Sequence, residues 1–211
     1  ALMKDLVGDQ VDLDNIPFYG LAEVTVGGRS CVISQTGFSG ESGYEIYLRN
    51  ATLYADDMWD AVLEAGKKHN LMVIAPAHHR RIQAGILSWG QDLDHEHNPF
   101  QCNLGYQVSL SGKGEWAKKG DYIGKQALEK MKADLKDGHK PYKLQLVGFE
   151  IGGKPIDEYA PDFWLVSPGD GGDPCGFITS PWYHPEKGKN IAMGYIPFDG
   201  TLNPNGFPKW E

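Results

Sequence analysis

A glycine-rich loop carries the carboxylate whose surroundings best suit ligand binding. Glu41 lies in the segment TGFSGESG at 36–43, between the aromatic residues Phe38 and Tyr44. A carboxylate accepts hydrogen bonds from two amino or ring N–H groups at once, which suits the edge of a pterin or purine-like ring. Aromatic side chains beside it can stack on such a ring, and glycines permit a close approach of the backbone to a ligand. A solvent-exposed glutamate in a hairpin loop is the structural alternative, and the residues alone favour it slightly.

A second polar cluster, QDLDHEHNP at 91–99, contains the residue types of a metal site. His95 and His97 are two positions apart beside three carboxylates, and on a strand both would share one face. No second set of ligands accompanies them at a recognisable spacing. We therefore interpret 91–99 as a solvated acidic loop whose Asp and Asn side chains bond to nearby backbone, and we expect no metal.

Common catalytic signatures fail in this sequence. Glu41 occupies the position at which a G-x-S-x-G nucleophile elbow starting at Gly37 requires its second glycine. The glycines of this loop are spaced G-x-x-G-x-x-G, which does not match the dinucleotide-binding pattern, and the segment 120–125 lacks the Walker spacing. Hydrolase, dehydrogenase and NTPase functions therefore lose their best sequence support.

Apolar patterns predict the elements that position these residues. Helices are predicted at 53–68, at 76–87 with Pro76 in the first turn, and at 125–135. Strands are predicted at 21–26, 31–34, 44–48, 144–151, 163–166, 175–179 and 191–196. The sequence thus predicts an α+β fold, with an α/β part up to about residue 140 followed by a small antiparallel β unit, a barrel or a sandwich.

Composition and charge exclude several classes of protein. The chain has 211 residues, 41% of them hydrophobic, and its 20 Lys+Arg against 28 Asp+Glu give a formal net charge of -8. These are globular values, and the acidic balance argues against nucleic acid as the main partner. No run of about 18 apolar residues occurs, so we expect no membrane span. Cys31, Cys102 and Cys175 form no C-x-x-C pair and are predicted to be reduced thiols in the cytoplasm.

Eight segments in order resemble one protein family. The segment 35–46, QTGFSGESGYEI, resembles the R-T-G-Y-T-G-E-x-G-[FY]-E-I stretch of the aminomethyltransferase family, which includes the T-protein of the glycine cleavage system. The other seven are MWDAVLEAG at 58–66, RIQAGI at 81–86, WGQDLD at 89–94, NLGY at 103–106, DYIGKQAL at 121–128, GFITS at 176–180 and NIAMGYIP at 190–197. No segment is specific alone, but their order across 35–197 makes the resemblance strong.

The resemblance implies transfer of a one-carbon group to tetrahydrofolate, in a folate-binding α/β body followed by a C-terminal antiparallel β-barrel. Glu41 would accept hydrogen bonds from the pterin edge, with Tyr44 beside it. Arg81 would pair with a carboxylate of folate or substrate, or else form a surface salt bridge. Trp89 and Tyr106 would pack beside the ring or the donor, or else lie in the core. The implied partner is a small-molecule methyl donor or a lipoyl carrier protein, with neither nucleic acid nor membrane.

Several positions depart from the family pattern. Gln35 stands where the family usually has Arg, Trp89 where it usually has Tyr, and Ala77 and His78 near the places of an Arg-Asp pair. Substrate recognition is therefore expected to differ from glycine cleavage, and folate-dependent demethylases of methoxy-aromatic, sulfonium or amine compounds are the main alternative. A non-catalytic folate-binding relative and a plain interaction module are further alternatives. Relatives of the iron–sulfur-assembly type rank lower because their Cys-containing motif is absent.

The resemblance also bears on how much of a family member is present. Family members have a long N-terminal part with an aspartate near the reacting carbon of folate, and nothing here aligns with it. The chain resembles the C-terminal part of a member, so we expect the catalytic aspartate upstream and expect the 211-residue chain to be inactive alone. On this view 1–140 belongs to the folate-binding domain, incomplete at its N-terminus, and 141–211 is the C-terminal β-barrel domain.

Overall fold

The computed structural model describes residues 1–110, 120–159 and 163–199. The chain divides into two compact units, 1–86 and 87–211. Helices and two antiparallel sheets confirm the predicted α+β class, whereas the predicted domain boundary near residue 140 stays a prediction. Within the described ranges, no helix is long and apolar enough to cross a membrane.

The first unit contains a three-stranded antiparallel sheet with the order β1-β2-β3. Its strands are β1 (Leu21–Val26), β2 (Arg29–Ser34) and β3 (Glu45–Leu48). Its helices are α1 (Leu2–Val7), α2 (Ala51–Gly66) and α3 (His78–Ala84), with short 3-10 turns at Gly8–Gln10, Leu13–Asn15 and Lys67–His69. The predicted hairpin across Gly27 and Gly28 is confirmed by the pairing of Val26 with Arg29.

Alternation along the strands explains how this sheet packs. Val24 and Val26 of β1 are buried, whereas Glu23 and Thr25 between and beside them are exposed. Successive side chains of a strand point to opposite faces, so one face of the sheet carries the apolar set. That face packs against the helices in a single core, to which α2 contributes Met58.

The third helix begins later than the sequence predicts. The prediction that Pro76 lies in its first turn is wrong, because α3 starts only at His78. The residue before it, Ala77, has an extended backbone. Gly85 ends the helix with φ +74 and donates its backbone N–H to the carbonyl of Ile82 at 3.1 Å. Glycine adopts this left-handed conformation without steric cost, which makes the stop sharp.

The second unit contains a four-stranded antiparallel sheet with the order β4-β7-β6-β5. Its strands are β4 (Leu144–Ile151), β5 (Trp164–Val166), β6 (Gly176–His184) and β7 (Lys189–Pro197). Helix α4 (Lys125–Lys136) and a 3-10 turn at Gly105–Gln107 precede them. The predicted strands are confirmed, although β6 continues beyond its predicted end to His184.

This second sheet is open where the structure describes it, which corrects the predicted closed barrel for those residues. Strand β4 pairs with β7 and strand β5 pairs with β6, and the described parts of these two edge strands do not pair with each other. Closing a barrel requires the first and last strands to pair with a consistent stagger. Strand β5 is only three residues long, so it offers little edge for such pairing.

Candidate functional site

Glu41 lies on the surface of the first unit, in the irregular loop between β2 and β3. Its side chain is 68% exposed, and its Oε1 lies 3.4 Å from Nη1 of Arg80, which is also partly exposed. Its backbone N–H donates to Oγ of Ser39 at 3.2 Å, which shapes the loop locally. The carboxylate is therefore accessible to a ligand and already has a cationic neighbour.

Packing against α3 explains one glycine of this loop. Gly40 has φ +76, and a Cβ at this position would lie 2.3 Å from Cβ of Ala84. Any larger residue would push the loop away from α3, since real Cβ atoms do not approach so closely. The sequence suggested that glycine here lets a ligand approach the backbone, but at Gly40 the close neighbour is Ala84. This packing of the loop against α3 places Glu41 beside Arg80.

Tyr44 and Phe38 differ in how they lie around Glu41. Tyr44 is half-buried against the core of the first unit, and its hydroxyl donates to the carbonyl of Leu13 at 3.1 Å. Phe38 is 46% exposed, so its ring can meet a ligand. The role of Tyr44 beside a cofactor stays a prediction, and its observed contacts anchor the loop.

Arg81 lies inside the first unit, with only 1% of its surface exposed. Its Nε donates to Nδ1 of His78 at 3.3 Å and its Nη1 donates to the carbonyl of Ile86 at 3.1 Å. Its guanidinium lies 5.8 Å from the centre of the Phe38 ring. The predicted pairing of Arg81 with a ligand carboxylate stays a prediction, and the geometry makes this arginine a support for α3 and for Phe38.

In the second unit, Trp89 lies in a tight turn and is 62% exposed. The turn is closed by the N–H of Gly90, which donates to the carbonyl of Leu93 at 2.8 Å. The Trp89 ring meets the ring of His95 edge-on, with centroids 5.0 Å apart. A large aromatic side chain is thus presented to solvent, so the alternative that Trp89 lies in the core does not hold for this structure.

Asp92 organises this turn, and its burial corrects the interpretation of 91–99 as a solvated loop at this position. Asp92 has no exposed surface, although it lies among charged residues in the chain. Its carboxylate accepts the backbone N–H of Ser88 at 2.8 Å and the hydroxyl of Thr179 at 2.5 Å, and it also accepts the hydroxyl of Ser180. A buried carboxylate requires such donors, because loss of hydration is costly for a charged group.

An irregularity in β6 lets both hydroxyls reach Asp92. The register of β6 against β7 shifts between Ile178 and Ser180, so Thr179 lies at a bulge. Consecutive residues of a regular strand point to opposite faces, but a bulge re-aims them. The side-chain amide of Gln91 also donates to the carbonyl of Thr179 at 3.1 Å, so the 88–94 turn is fixed to the strand at the bulge.

Tyr195 of β7 extends this network. Its hydroxyl donates to the backbone carbonyl of Asp92 at 2.6 Å and lies 3.3 Å from Sγ of Cys102. Because the single hydroxyl proton goes to Asp92, the thiol of Cys102 is the donor to Tyr195. Burial raises the pKa of the Cys102 thiol and of the Tyr195 hydroxyl, so both stay protonated at neutral pH.

The two histidines of the acidic loop lie in different surroundings. His97 lies 2.7 Å from Oδ1 of Asp94 through its Nδ1, and its ring lies 4.8 Å from that of Tyr195. The carboxylate of Asp94 also accepts the backbone N–H of Glu96. This hydrogen bond, and secondly the one with His97, lower the pKa of Asp94. In the part of the chain that the structure describes, no group of three His, Cys, Asp or Glu residues is arranged to hold a metal ion.

Tyr106 lies apart from this network on a short 3-10 turn. It is 69% exposed, and its hydroxyl accepts a hydrogen bond from the amide of Gln107 at 3.1 Å. Its predicted contact with a ring or donor stays a prediction. The structure therefore groups Glu41, Phe38 and Arg81 in the first unit and centres the second unit's arrangement on Asp92.

Comparison with known proteins relates both units to one family. Residues 1–112 match the family model of the GCVT N-terminal domain. The chain is 31% identical over 191 residues to an aminomethyltransferase of Halothermothrix orenii, covering 90% of this chain and 48% of that protein. It is 32% identical over 202 residues to an aminomethyltransferase of Alkaliphilus oremlandii, covering 93% of this chain and 48% of that protein. The chain thus spans about half the length of these relatives.

A solved structure shares the fold. The crystal structure of the glycine cleavage system aminomethyltransferase T from Bartonella henselae aligns with a TM-score of 0.65 and 21% identity, over 93% of this chain and 48% of that chain. The family model covers more than half of the residues and includes the Glu41 loop, α3 and the Asp92 turn. The chain belongs to the GCVT N-terminal domain family.

Proposed function

We propose that this protein transfers a one-carbon unit from an aminomethyl or methyl donor to tetrahydrofolate. The observation that carries the proposal is the exposed carboxylate of Glu41, held in a glycine-rich loop beside Arg80 in a member of this family. The relatives in the comparison are aminomethyltransferases, which supports the same reaction class.

The residues around Glu41 fit the chemistry of a folate ring. An ionised carboxylate accepts two N–H donors of an aminopyrimidine edge, and these charge-assisted bonds are stronger than neutral ones. The half-exposed Phe38 ring, three positions before Glu41 in the same loop, offers an apolar face. When bound, tetrahydrofolate supplies the ring nitrogen that accepts the carbon unit, while Glu41 and Phe38 hold and orient the ring.

Positioning is the chemistry that these residues perform. Two reactants held in line react far faster than two free molecules, because binding removes their translational and rotational freedom in advance. The buried guanidinium of Arg81 lies 5.8 Å from the centre of the Phe38 ring, and Gly40 keeps the loop close to α3. The described residues thereby contribute binding and orientation to the reaction.

A demethylase that uses folate is the second candidate, and specific positions favour it. Ala77 and His78 stand near the places where aminomethyltransferases have an Arg-Asp pair, and Trp89 replaces a tyrosine. The exposed Trp89 ring, with His95 at its edge, suits a cationic or aromatic methyl donor better than a flexible lipoyl arm.

The product formed on the folate distinguishes the two candidates. The complete gene product that contains this sequence is incubated with tetrahydrofolate and either an aminomethyl-lipoyl carrier protein or small methylated sulfonium, amine and methoxy-aromatic compounds. Methylenetetrahydrofolate from the carrier, with release of ammonia and the carrier thiol, supports the aminomethyltransferase. Methyltetrahydrofolate from a small donor, with release of the demethylated compound, supports the demethylase. The proposal is contradicted if the protein neither turns over any of these donors nor binds folate.

A further inference from the structure

The exposed ring of Trp89 is held mainly by the turn that carries it. With 62% of its surface exposed, the side chain gains little orientation from burial, and the ring contact seen is the edge of His95. Its backbone lies between Ser88, whose N–H is bound by Asp92, and Gly90, whose N–H closes the turn onto Leu93. The direction of the ring therefore depends on the geometry of residues 88–94.

Asp92 fixes that geometry from two sides. One carboxylate oxygen, Oδ2, accepts the N–H of Ser88 at the start of the turn. The other, Oδ1, accepts the hydroxyls of Thr179 and Ser180 at the bulge of β6. The same side chain thus closes the turn and attaches it to the sheet, so a change at Asp92 alters both the start of the Trp89 segment and its attachment to β6.

We propose that Asp92 is a positioning residue, which sets the orientation of the Trp89 ring and thereby its contact with a bound ligand. The ligand's identity as folate or methyl donor rests on the proposed function, but the control of Trp89 by Asp92 does not. Asp92 is buried and acts through Trp89, so it needs no contact with the reacting atoms.

The first test follows the Trp89 ring itself, with no ligand present. The complete gene product is labelled with fluorotryptophan, and the fluorine NMR signal of Trp89 is identified as the one lost in Trp89→Phe. Asp92→Asn keeps the size of the side chain but replaces one acceptor oxygen by an NH2 donor, which faces donors already present. We expect the Trp89 signal to shift or broaden while that of Trp59, in α2 of the first unit, stays unchanged. An unchanged Trp89 signal in folded Asp92→Asn overturns the proposal.

Two milder variants keep the test decisive where Asp92→Asn does not fold. Thr179→Val and Ser180→Ala each remove one donor and leave the carboxylate in place. Each should shift or broaden the Trp89 signal relative to that of the unaltered protein. A Trp89 fluorine signal that is unchanged in both variants contradicts the role of Asp92.

The second test separates positioning from simple stabilisation. In folded Asp92→Asn we expect tetrahydrofolate or methyl-donor affinity to fall about tenfold, the size of one aromatic contact. A merely structural role would lower the amount of folded protein and leave the affinity of the folded fraction unchanged, which overturns the proposal. If the unaltered protein binds no folate, the proposed function fails, and the fluorine signal still decides the role of Asp92.

Discussion

The carboxylate oxygen Oδ1 of Asp92 lies 2.5 Å from the hydroxyl oxygen of Thr179, although 87 positions separate the two residues in the chain. The side chain of Gln91, next to Asp92, binds the carbonyl of the same threonine. The turn and the bulge thus form one structural feature, because the bulge aims the hydroxyls and the turn supplies the acceptor. Two separate sequence segments, WGQDLD and GFITS, meet there.

The first prediction concerns this bond. Thr179→Val keeps the shape of the side chain but removes the donor to a buried carboxylate, which should lower the free energy of unfolding by roughly 1–3 kcal/mol. Thr25→Val is the matched control, since Thr25 lies on the exposed face of β1. Urea denaturation measures both variants, and equal effects would show that the Asp92–Thr179 bond contributes nothing to stability.

The second prediction tests the close pairing of β6 and β7. A Cβ at Gly176 would lie 2.1 Å from the carbonyl oxygen of Tyr195, so Gly176→Ala must separate the strands locally. We expect a loss of about 1–3 kcal/mol in the free energy of unfolding, as for other overpacked sites. Gly152→Ala has open space around its Cβ and serves as the control. A Gly176→Ala variant as stable as Gly152→Ala would refute this pairing.

The third prediction concerns Glu41 and Arg80. The side chain of Glu41 is largely exposed and that of Arg80 partly exposed, and their charged atoms are 3.4 Å apart. Exposed ion pairs are screened by solvent, so a double-mutant cycle of Glu41→Gln and Arg80→Met should give a coupling energy below about 1 kcal/mol. The cycle is measured by urea denaturation. A much larger coupling would show that Glu41 is chiefly a structural residue of the first unit.

Local patterns predicted most of the secondary structure. The alternation along β1 and the spacing of apolar residues in α2 are properties of short segments, so the sequence contains them in full. The prediction that α3 begins at Pro76 was wrong, because Ala77 is extended and the helix begins after it. The strand pattern after residue 140 left a barrel or a sandwich open and the family resemblance favoured the barrel, but local patterns do not determine whether the edge strands pair.

Long-range contacts explain what the sequence did not predict. Asp92 lies among acidic residues and histidines, which is typical of a solvated loop, and the hydroxyls that permit its burial come from a distant strand. The place of Gly40 against Ala84 likewise depends on how the loop meets α3. The burial of Arg81 was also not predicted, although the hydrogen bonds that its guanidinium donates to His78 and to the carbonyl of Ile86 are local in the chain.

The fourth prediction is a loss of stability at alkaline pH. Burial raises the pKa of Cys102 above its ordinary value of 9.0, so the folded protein keeps the thiol proton where the unfolded chain releases it. The unfolded state then binds fewer protons, and the free energy of unfolding falls as pH rises above about 9, by at most about 1.4 kcal/mol per pH unit for this group.

Cys102→Ser tests this assignment because its hydroxyl can donate to Tyr195 but does not ionise in this range. Its stability should decline less steeply above about pH 9 than that of the unaltered protein. Cys175→Ser, at a half-buried thiol, is the control for the substitution itself. An identical decline in the unaltered protein and in Cys102→Ser would remove Cys102 as its cause.

The most direct test of the proposed folate site is the affinity of the complete gene product for tetrahydrofolate, measured by calorimetry under anaerobic conditions. Glu41→Gln keeps the size of the side chain and removes its charge, and Glu23→Gln does the same at an exposed glutamate that pairs with Arg49. Losing a charge-assisted hydrogen bond should weaken binding by about ten- to a hundredfold in Glu41→Gln, while Glu23→Gln binds as the unaltered protein does. Equal affinities in all three proteins would remove Glu41 from the folate site and contradict the account.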